Sequence, residues 1–285
     1  MSIQGFLKTI VVVGFWGTFL LSTADSLKAQ TDVDLDPEWG GRISAKIDKK
    51  LTRGLHLYLE EEARLDNNFG GVDRLQTTLG TTYKVLPSVK LGIGYALIAP
   101  YSSKNSAFKS VRHRLMFDAS YTYRLGDWQV SLKERLQATY RTGDMNEYQK
   151  PRTAFTLKSR LKVQYKGLRR LTPYAYAELR NTLNAPVISA LYNESTGEYF
   201  TEEGSLSGEA GWFLEGFNGI YVNRVRGCIG AEYRIDRRNR LEAYLLLDHI
   251  SDKVVDANAE GTKLKSYTRE QGFIGQFCLG YSYSF

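Results

Sequence analysis

From Phe273 to its last residue the chain alternates with a period of two. Phe273, Gly275, Phe277, Leu279, Tyr281, Tyr283 and Phe285 take the odd positions, and Gln276, Cys278, Gly280, Ser282 and Ser284 the even ones. Only an extended strand places such residues on two opposite faces. The same period returns upstream. Within 111–125, Leu115, Phe117, Ala119, Tyr121, Tyr123 and Leu125 lie opposite Arg112, Arg114, Asp118, Ser120, Thr122 and Arg124. Within 152–166, Phe155, Leu157, Leu161, Val163 and Tyr165 lie opposite Lys158, Arg160, Lys162, Gln164 and Lys166. Within 221–235, Val225, Ile229, Ala231, Tyr233 and Ile235 lie opposite Arg224, Arg226, Glu232 and Arg234.

Seven more segments carry strand signals: 39–48, 55–65, 73–85, 89–99, 128–141, 172–182 and 240–250. Strands of ten or more residues, apolar on one face and charged on the other, describe a wall between lipid and a polar interior. The expected fold is all-β, an antiparallel transmembrane β-barrel of about 10–12 strands with a charged, Arg-rich lumen. Its connections alternate in length, as in outer-membrane barrels with short periplasmic turns and long outer loops. Those at 86–88, 126–127, 166–171 and 236–239 are short; those at 66–72, 100–110, 142–151, 183–220 and 251–270 are long or polar. If residue 285 ends in the periplasm, this topology is consistent from 55 onward. Segment 39–48 then begins on the outer side, in conflict with the even strand number of bacterial single-chain barrels. A missed strand, a segment threading the lumen and a segment outside the wall are the readings open for it. Glu61 and Glu134 fall on the lipid-facing parity, where a bulge or a partner is expected.

The first residues have the layout of a cleavable leader: Lys8, an apolar stretch from Ile10 to Leu21, then small residues up to Ala29. The expected domains are a signal peptide 1–29, cut after Ala29 or alternatively Ala24, an N-terminal segment 30–37 and a barrel 38–285. A dozen apolar residues are too few to cross about 30 Å of hydrocarbon as a helix, and no later stretch comes closer. The chain is basic, with formal charge +7. Its cations are spread at strand spacing and not gathered in a patch or motif, so no nucleic acid is expected.

The inward parity collects Arg112, Arg114, Asp118, Arg160, Glu178, Arg180, Arg224, Arg226, Glu232 and Arg234, with cations in excess. Rings of Arg and Lys line anion pores, whereas neighbouring Arg and Glu pairs can fill a lumen and brace its wall. Eight strands leave an interior filled by side chains and sixteen an aqueous channel, so a narrow or occluded lumen is expected here. The Arg-rich hairpins, with the Pro-Tyr-Ala-Tyr-Ala-Glu strand of 173–178 and Asn223-Arg224-Val225-Arg226, resemble domain-of-unknown-function family 2490 of outer-membrane barrels. That resemblance implies a fold and a location and no activity. The last strand likewise resembles the assembly signal of outer-membrane barrels, with Phe277, Tyr281, Tyr283 and the terminal Phe285 as the residues read by the barrel-assembly machinery.

One constellation resembles catalysis. His249 and Ser251 share a wall face in the His-x-Ser spacing of outer-membrane phospholipases and lipid A deacylases, in which serine attacks an acyl ester and histidine takes its proton. No third residue is evident. Asn223 is the nearest outward amide and falls opposite 253, about 13 Å along the ladder from the partner of His249; Asp252 and Asp256 lie in a loop. Cys228 and Cys278, both inward, are two strands apart and too distant for a disulfide. Three scattered histidines offer no metal site, the glycines follow no phosphate-loop pattern, and no cofactor is expected. The leading expectation is a non-enzymatic barrel, either a narrow anion-preferring channel or a structural or binding barrel. The alternative is an outer-leaflet acyl hydrolase using His249 and Ser251. Expected partners are outer-membrane lipid, the assembly machinery and a small anionic solute.

Overall fold

The computed structural model describes residues 31–66, 68–102, 105–190, 192–193, 198–199, 212–261 and 264–285. The expected leader, 1–29, lies outside them. Eleven long strands form the wall: β1 Glu38–Thr52, β2 Leu55–Asp66, β3 Gly71–Leu86, β4 Val89–Ser102, β5 Arg112–Leu125, β6 Trp128–Arg141, β7 Thr153–Tyr165, β8 Leu171–Ala190, β9 Trp212–Arg234, β10 Asn239–Ala257 and β11 Leu264–Ser284. Each pairs antiparallel with the next. Short strands add to the margins, among them Thr31–Asp34, which runs parallel to 268–271.

The barrel closes by a parallel ladder between β1 and β11, from Glu38 opposite Ile274 to Asp48 opposite Ser284. This corrects the expected even strand number and settles segment 39–48: it is the first wall strand. Both β1 and β11 descend from the long-loop end to the short-turn end, so an odd count closes without a missing strand. Parallel pairing gives slanted bonds that are slightly weaker per residue. Backbone bonds at the short-turn end reinforce this seam, with Lys50 N–H donating to the Phe285 carbonyl at 3.0 Å.

The two ends differ as their sequences dictate. At the short-turn end, Gly54 and Gly126 take left-handed φ values of 89° and 57°, which tight turns need and a Cβ resists. At the other end β8, β9, β10 and β11 run for 20, 23, 19 and 21 residues. Much of the loops expected at 183–220 and 251–270 is therefore strand. Ile188, Val255, Ala257 and Tyr267 bury one another there with Leu214 beside them, and that apolar contact sustains the ladder beyond the wall. The connection between β6 and β7 reaches over to the end of β10, four strands away. The Asn146 side chain donates to the Ala257 carbonyl at 2.8 Å, and that of Gln149 to Asp256 at 2.8 Å.

The wall is inside out relative to a water-soluble protein. Ile43, Phe117, Ile229, Phe277 and Leu279 are between 52% and 63% exposed, whereas Glu178 and Asp248 are 4% and 1% exposed. So wide an apolar girdle exceeds the patches that soluble monomers show to water. No helix among the described residues is long and apolar enough to cross a membrane. Glu61 and Glu134 do point outward, and neither lies at a bulge of the ladder. Each is met instead by a hydroxyl on the following strand: Thr77 donates to Glu61 at 2.9 Å and Ser159 to Glu134 at 2.6 Å.

Candidate functional site

Alternation sends every second side chain of the eleven strands inward, and nineteen of the thirty residues that line the space they enclose are charged. The main interior cavity, about 520 Å3, is lined almost wholly by polar groups. Four of the inward carboxylates each take two cations, whereas Glu60 and Glu242, which also line the cavity, have no cation within 4 Å among the described residues. Glu178 accepts from Arg160 at 2.6 Å and from Arg226 at 3.3 Å. Asp248 accepts a bidentate pair from Arg226 at 2.6 and 2.8 Å and a third bond from Arg224 at 3.2 Å. Asp118 takes Arg135 through two bonds, 2.6 and 2.8 Å, and Lys133 at 2.8 Å. Glu62 lies 2.6 Å from Arg64 and 3.5 Å from Arg42. Register produces these pairings, because Glu178 is opposite Arg226 on one side and Arg160 on the other, and Arg226 is opposite Asp248.

A second set of cations makes no ion pair. Among the described residues, no acid lies within 4 Å of Arg112, Arg114, Arg141, Lys158 or Arg180, all of which line the cavity. The Arg114 Nε–H donates to the Thr139 hydroxyl at 3.0 Å, and Arg141 to the Pro151 carbonyl. The Nε atoms of Arg180, Arg224 and Arg42 are buried with no acceptor. Fifteen Lys and Arg line this cavity against four Glu, which leaves the interior strongly positive. Low-dielectric walls focus that field along the axis.

Aromatic residues shape what space remains. Tyr58 is buried over Gly80 and Gly94, which face each other across β3 and β4; a Cβ on Gly80 would stand 2.5 Å from the Tyr58 hydroxyl oxygen. Arg160 and Lys162 stack over the rings of Tyr176 and Tyr174, 4.2 and 3.7 Å from their centroids. Lys133, Arg135, Lys158, Arg160 and Glu178 also enclose a separate space of about 50 Å3, room for a water or two. The middle of the barrel is thus crowded and narrow.

Of the expected inward set, Arg112, Arg114, Arg160, Glu178, Arg180, Arg224 and Arg226 line the main cavity, and Asp118 joins it through Arg135. Glu232 and Arg234 do not. They belong to a second cavity at the short-turn mouth, where Glu232 takes Lys162 at 3.2 Å. Sequence reading missed Arg42 and Lys46, because β1 had no place in an even barrel; their alternation with Ile43, Ala45 and Ile47 was the available signal. It also missed Tyr58, Tyr174, Tyr176 and Tyr244, because tyrosine suits either face of such a wall.

Phe277 stacks on Trp39 with centroids 5.5 Å apart, Tyr281 bonds Asn239, and Tyr283 meets Phe285 at 5.7 Å, all along the β10–β11–β1 seam. Cys228 and Cys278 are buried free thiols. His249 packs its ring on Phe273, and the Ser251 hydroxyl accepts from Arg269 Nε at 2.6 Å. The structure gives no hydrogen bond between His249 and Ser251. Asn223 corrects an expectation. The turn after β9 pairs Arg234 with Arg240, two residues off the anticipated register, and a bulge between Arg180 and Asn181 turns Asn223 inward. There its amide donates to Asp252 at 2.7 Å, so it cannot orient an outward histidine.

The profile of the family described as protein of unknown function (DUF2490) matches residues 42–200. Among curated proteins, none matches. Among solved structures, the chain is similar to the NanC porin, with 13% identity over 86% of this chain and 97% of that one and a TM-score of 0.41. It is also similar to outer-membrane expressed OmpT of Vibrio cholerae, with 10% identity, a TM-score of 0.32 and 75% of this chain covered. The chain spans 60% of the length of that Vibrio structure. A third similarity, to the copper transporter OprC, has 10% identity, 76% and 45% coverage and a TM-score of 0.24.

Proposed function

The chain belongs to the DUF2490 family of proteins of unknown function, and we propose that it is an outer-membrane β-barrel acting as a narrow, anion-preferring channel. The apolar girdle faces lipid, the short turns lie in the periplasm and the extended strands of β8 to β11 stand outside. Export by a leader and insertion by the barrel-assembly machinery, reading Phe277, Tyr281, Tyr283 and Phe285, would bring it there. The observation that carries the reading is the group Arg112, Arg114, Arg141, Lys158 and Arg180, inward cations with no carboxylate within 4 Å among the described residues. An interior built only to brace the wall would gain by pairing them, since an unpaired buried charge is costly. Left unpaired, they are satisfied by an anion that enters. The carboxylate pairs below them fix the wall and set a narrow bore.

The acyl-hydrolase alternative has less support, because Ser251 is held by Arg269, His249 lies against Phe273 and Asn223 is turned inward. The channel reading is tested in a planar bilayer under a potassium chloride gradient. The refolded protein should show a reversal potential on the chloride side, and Arg112→Gln combined with Arg114→Gln should move it toward potassium. A wild-type barrel that is cation-selective, or that conducts nothing while correctly folded, overturns the reading and leaves a structural or binding barrel in its place.

A further inference from the structure

Basic residues are concentrated in the short connections of this chain. The segments 49–54, 84–90, 124–128, 166–170 and 234–240, at the short-turn end, hold thirteen Lys and Arg against two Asp. The segment 183–220, by contrast, holds six Glu and no Lys or Arg. Within the basic end the structure singles out one place. Lys166, Arg169 and Arg170 from one turn and Arg234 and Arg240 from the next hairpin surround a cavity of about 440 Å3.

Three features make this more than a run of exposed cations. The turn is fixed, because Lys166 N–H donates to the Asp127 carbonyl at 2.7 Å, Arg234 N–H to the Arg170 carbonyl at 2.8 Å, and the Arg234 guanidinium to the Arg169 carbonyl at 2.6 Å. The cations therefore project from a tethered backbone and lose less freedom on meeting a ligand. Glu232, the carboxylate in the lining, is already occupied by Lys162 and Gln164, each at 3.2 Å. Asp236 nearby is spent on its own turn. The Asn239 side chain and the N–H groups of Arg238 and Asn239 bond it at 2.7 Å, which holds its carboxyl below the usual range.

We propose that this mouth is a second anion site, separate from the interior cations, which holds a small multivalent anion bearing phosphate or carboxylate groups and approaching from the periplasm. Five converging cations exceed what a chloride ion needs, and the volume lies in the range of small-molecule pockets. The site rests on the membrane orientation given above but not on conduction, and its test does not require an open channel.

The test is calorimetric titration of the folded barrel with inorganic pyrophosphate in neutral detergent at low salt. The proposal expects saturable binding of one pyrophosphate per barrel. The turn variant Lys166→Gln/Arg169→Gln/Arg170→Gln should weaken it at least tenfold, and the interior variant Arg112→Gln/Arg114→Gln by less than twofold. Heat-modifiable migration verifies that both variants fold. No saturable binding to the wild type, or equal loss in the two variants, overturns the proposal. A further arm separates a free solute from a lipid headgroup. In nanodiscs, replacing part of a zwitterionic lipid with phosphatidylglycerol should leave pyrophosphate binding within threefold. A tenfold or greater loss there overturns the assignment to a solute and makes the mouth a headgroup site. If the interior variant shifts ion selectivity while pyrophosphate fails to bind, the channel reading stands and this site falls; the reverse outcome separates them the other way.

Discussion

The backbone N–H of Phe285 donates to the carbonyl of Asp48 at 3.0 Å, so the final residue of the chain is bonded to its first wall strand. The carbonyl of Phe285 in turn accepts from Lys50, and Lys49 lies over the Phe285 ring at 5.2 Å from its centroid. The end of the chain is thereby part of the closure of the barrel.

Deleting Phe285 removes both backbone bonds and the ring contact with Tyr283. At about 1 kcal/mol per bond the folded barrel loses roughly 2 kcal/mol at its seam. The fraction migrating as folded protein on unheated SDS gels should fall sharply. Deleting 194–197 in the β8–β9 connection should leave it nearly unchanged, and equal losses would contradict a closing role for the terminal residue.

Asp248 holds Arg226 by two bonds and Arg224 by a third in the buried interior. Asp248→Asn keeps the shape, strands the Arg224 guanidinium and leaves Arg226 with Glu178 alone. Breaking a buried pair in this way costs about 3–5 kcal/mol. The midpoint of urea unfolding in lipid vesicles should drop accordingly, more than for Asp252→Asn, whose partner is the neutral amide of Asn223.

Gly80 lies beneath the Tyr58 ring. Gly80→Ala drives a methyl group into a flat ring that is itself packed, and such overpacking costs about 1–3 kcal/mol. The unfolding midpoint should fall for Gly80→Ala. It should recover in the double variant with Tyr58→Leu, which clears the space; failure of the pair to compensate would show that the glycine serves the backbone and not the ring.

Ser251 accepts a hydrogen bond from Arg269, and Ser251→Ala should therefore lower stability by about 1 kcal/mol. Release of fatty acid from phospholipid or lipid A should be at background for both wild type and variant. Serine-dependent hydrolysis by the purified protein would reverse the ranking of channel over lipase.

The eleven strands were legible in the sequence because lipid outside and a polar interior impose opposite demands on adjacent residues. Alternation such as Phe277, Leu279 and Tyr281 against Cys278, Gly280 and Ser282 has no other use. The same parity named Glu178, Arg180, Arg224 and Arg226 as inward before any contact was known. It also sent Glu61 and Glu134 outward, correctly, without showing the hydroxyls of Thr77 and Ser159 that satisfy them. What parity does not encode is register, and register needs the pairing of strands far apart in the chain. That β1 closes on β11 in parallel follows from the circumference of the whole sheet, to which no local segment testifies. Only the assembled ladder decided that Arg226 sits between Glu178 and Asp248 while Arg112, Arg114 and Arg180 have no acid beside them. Only a bulge, a one-residue offset between β8 and β9, turned Asn223 away from His249. Sequence thus determined which face each residue takes, a property of two neighbours along a strand. The tertiary fold decided which charges meet, a property of strands brought together from across the chain.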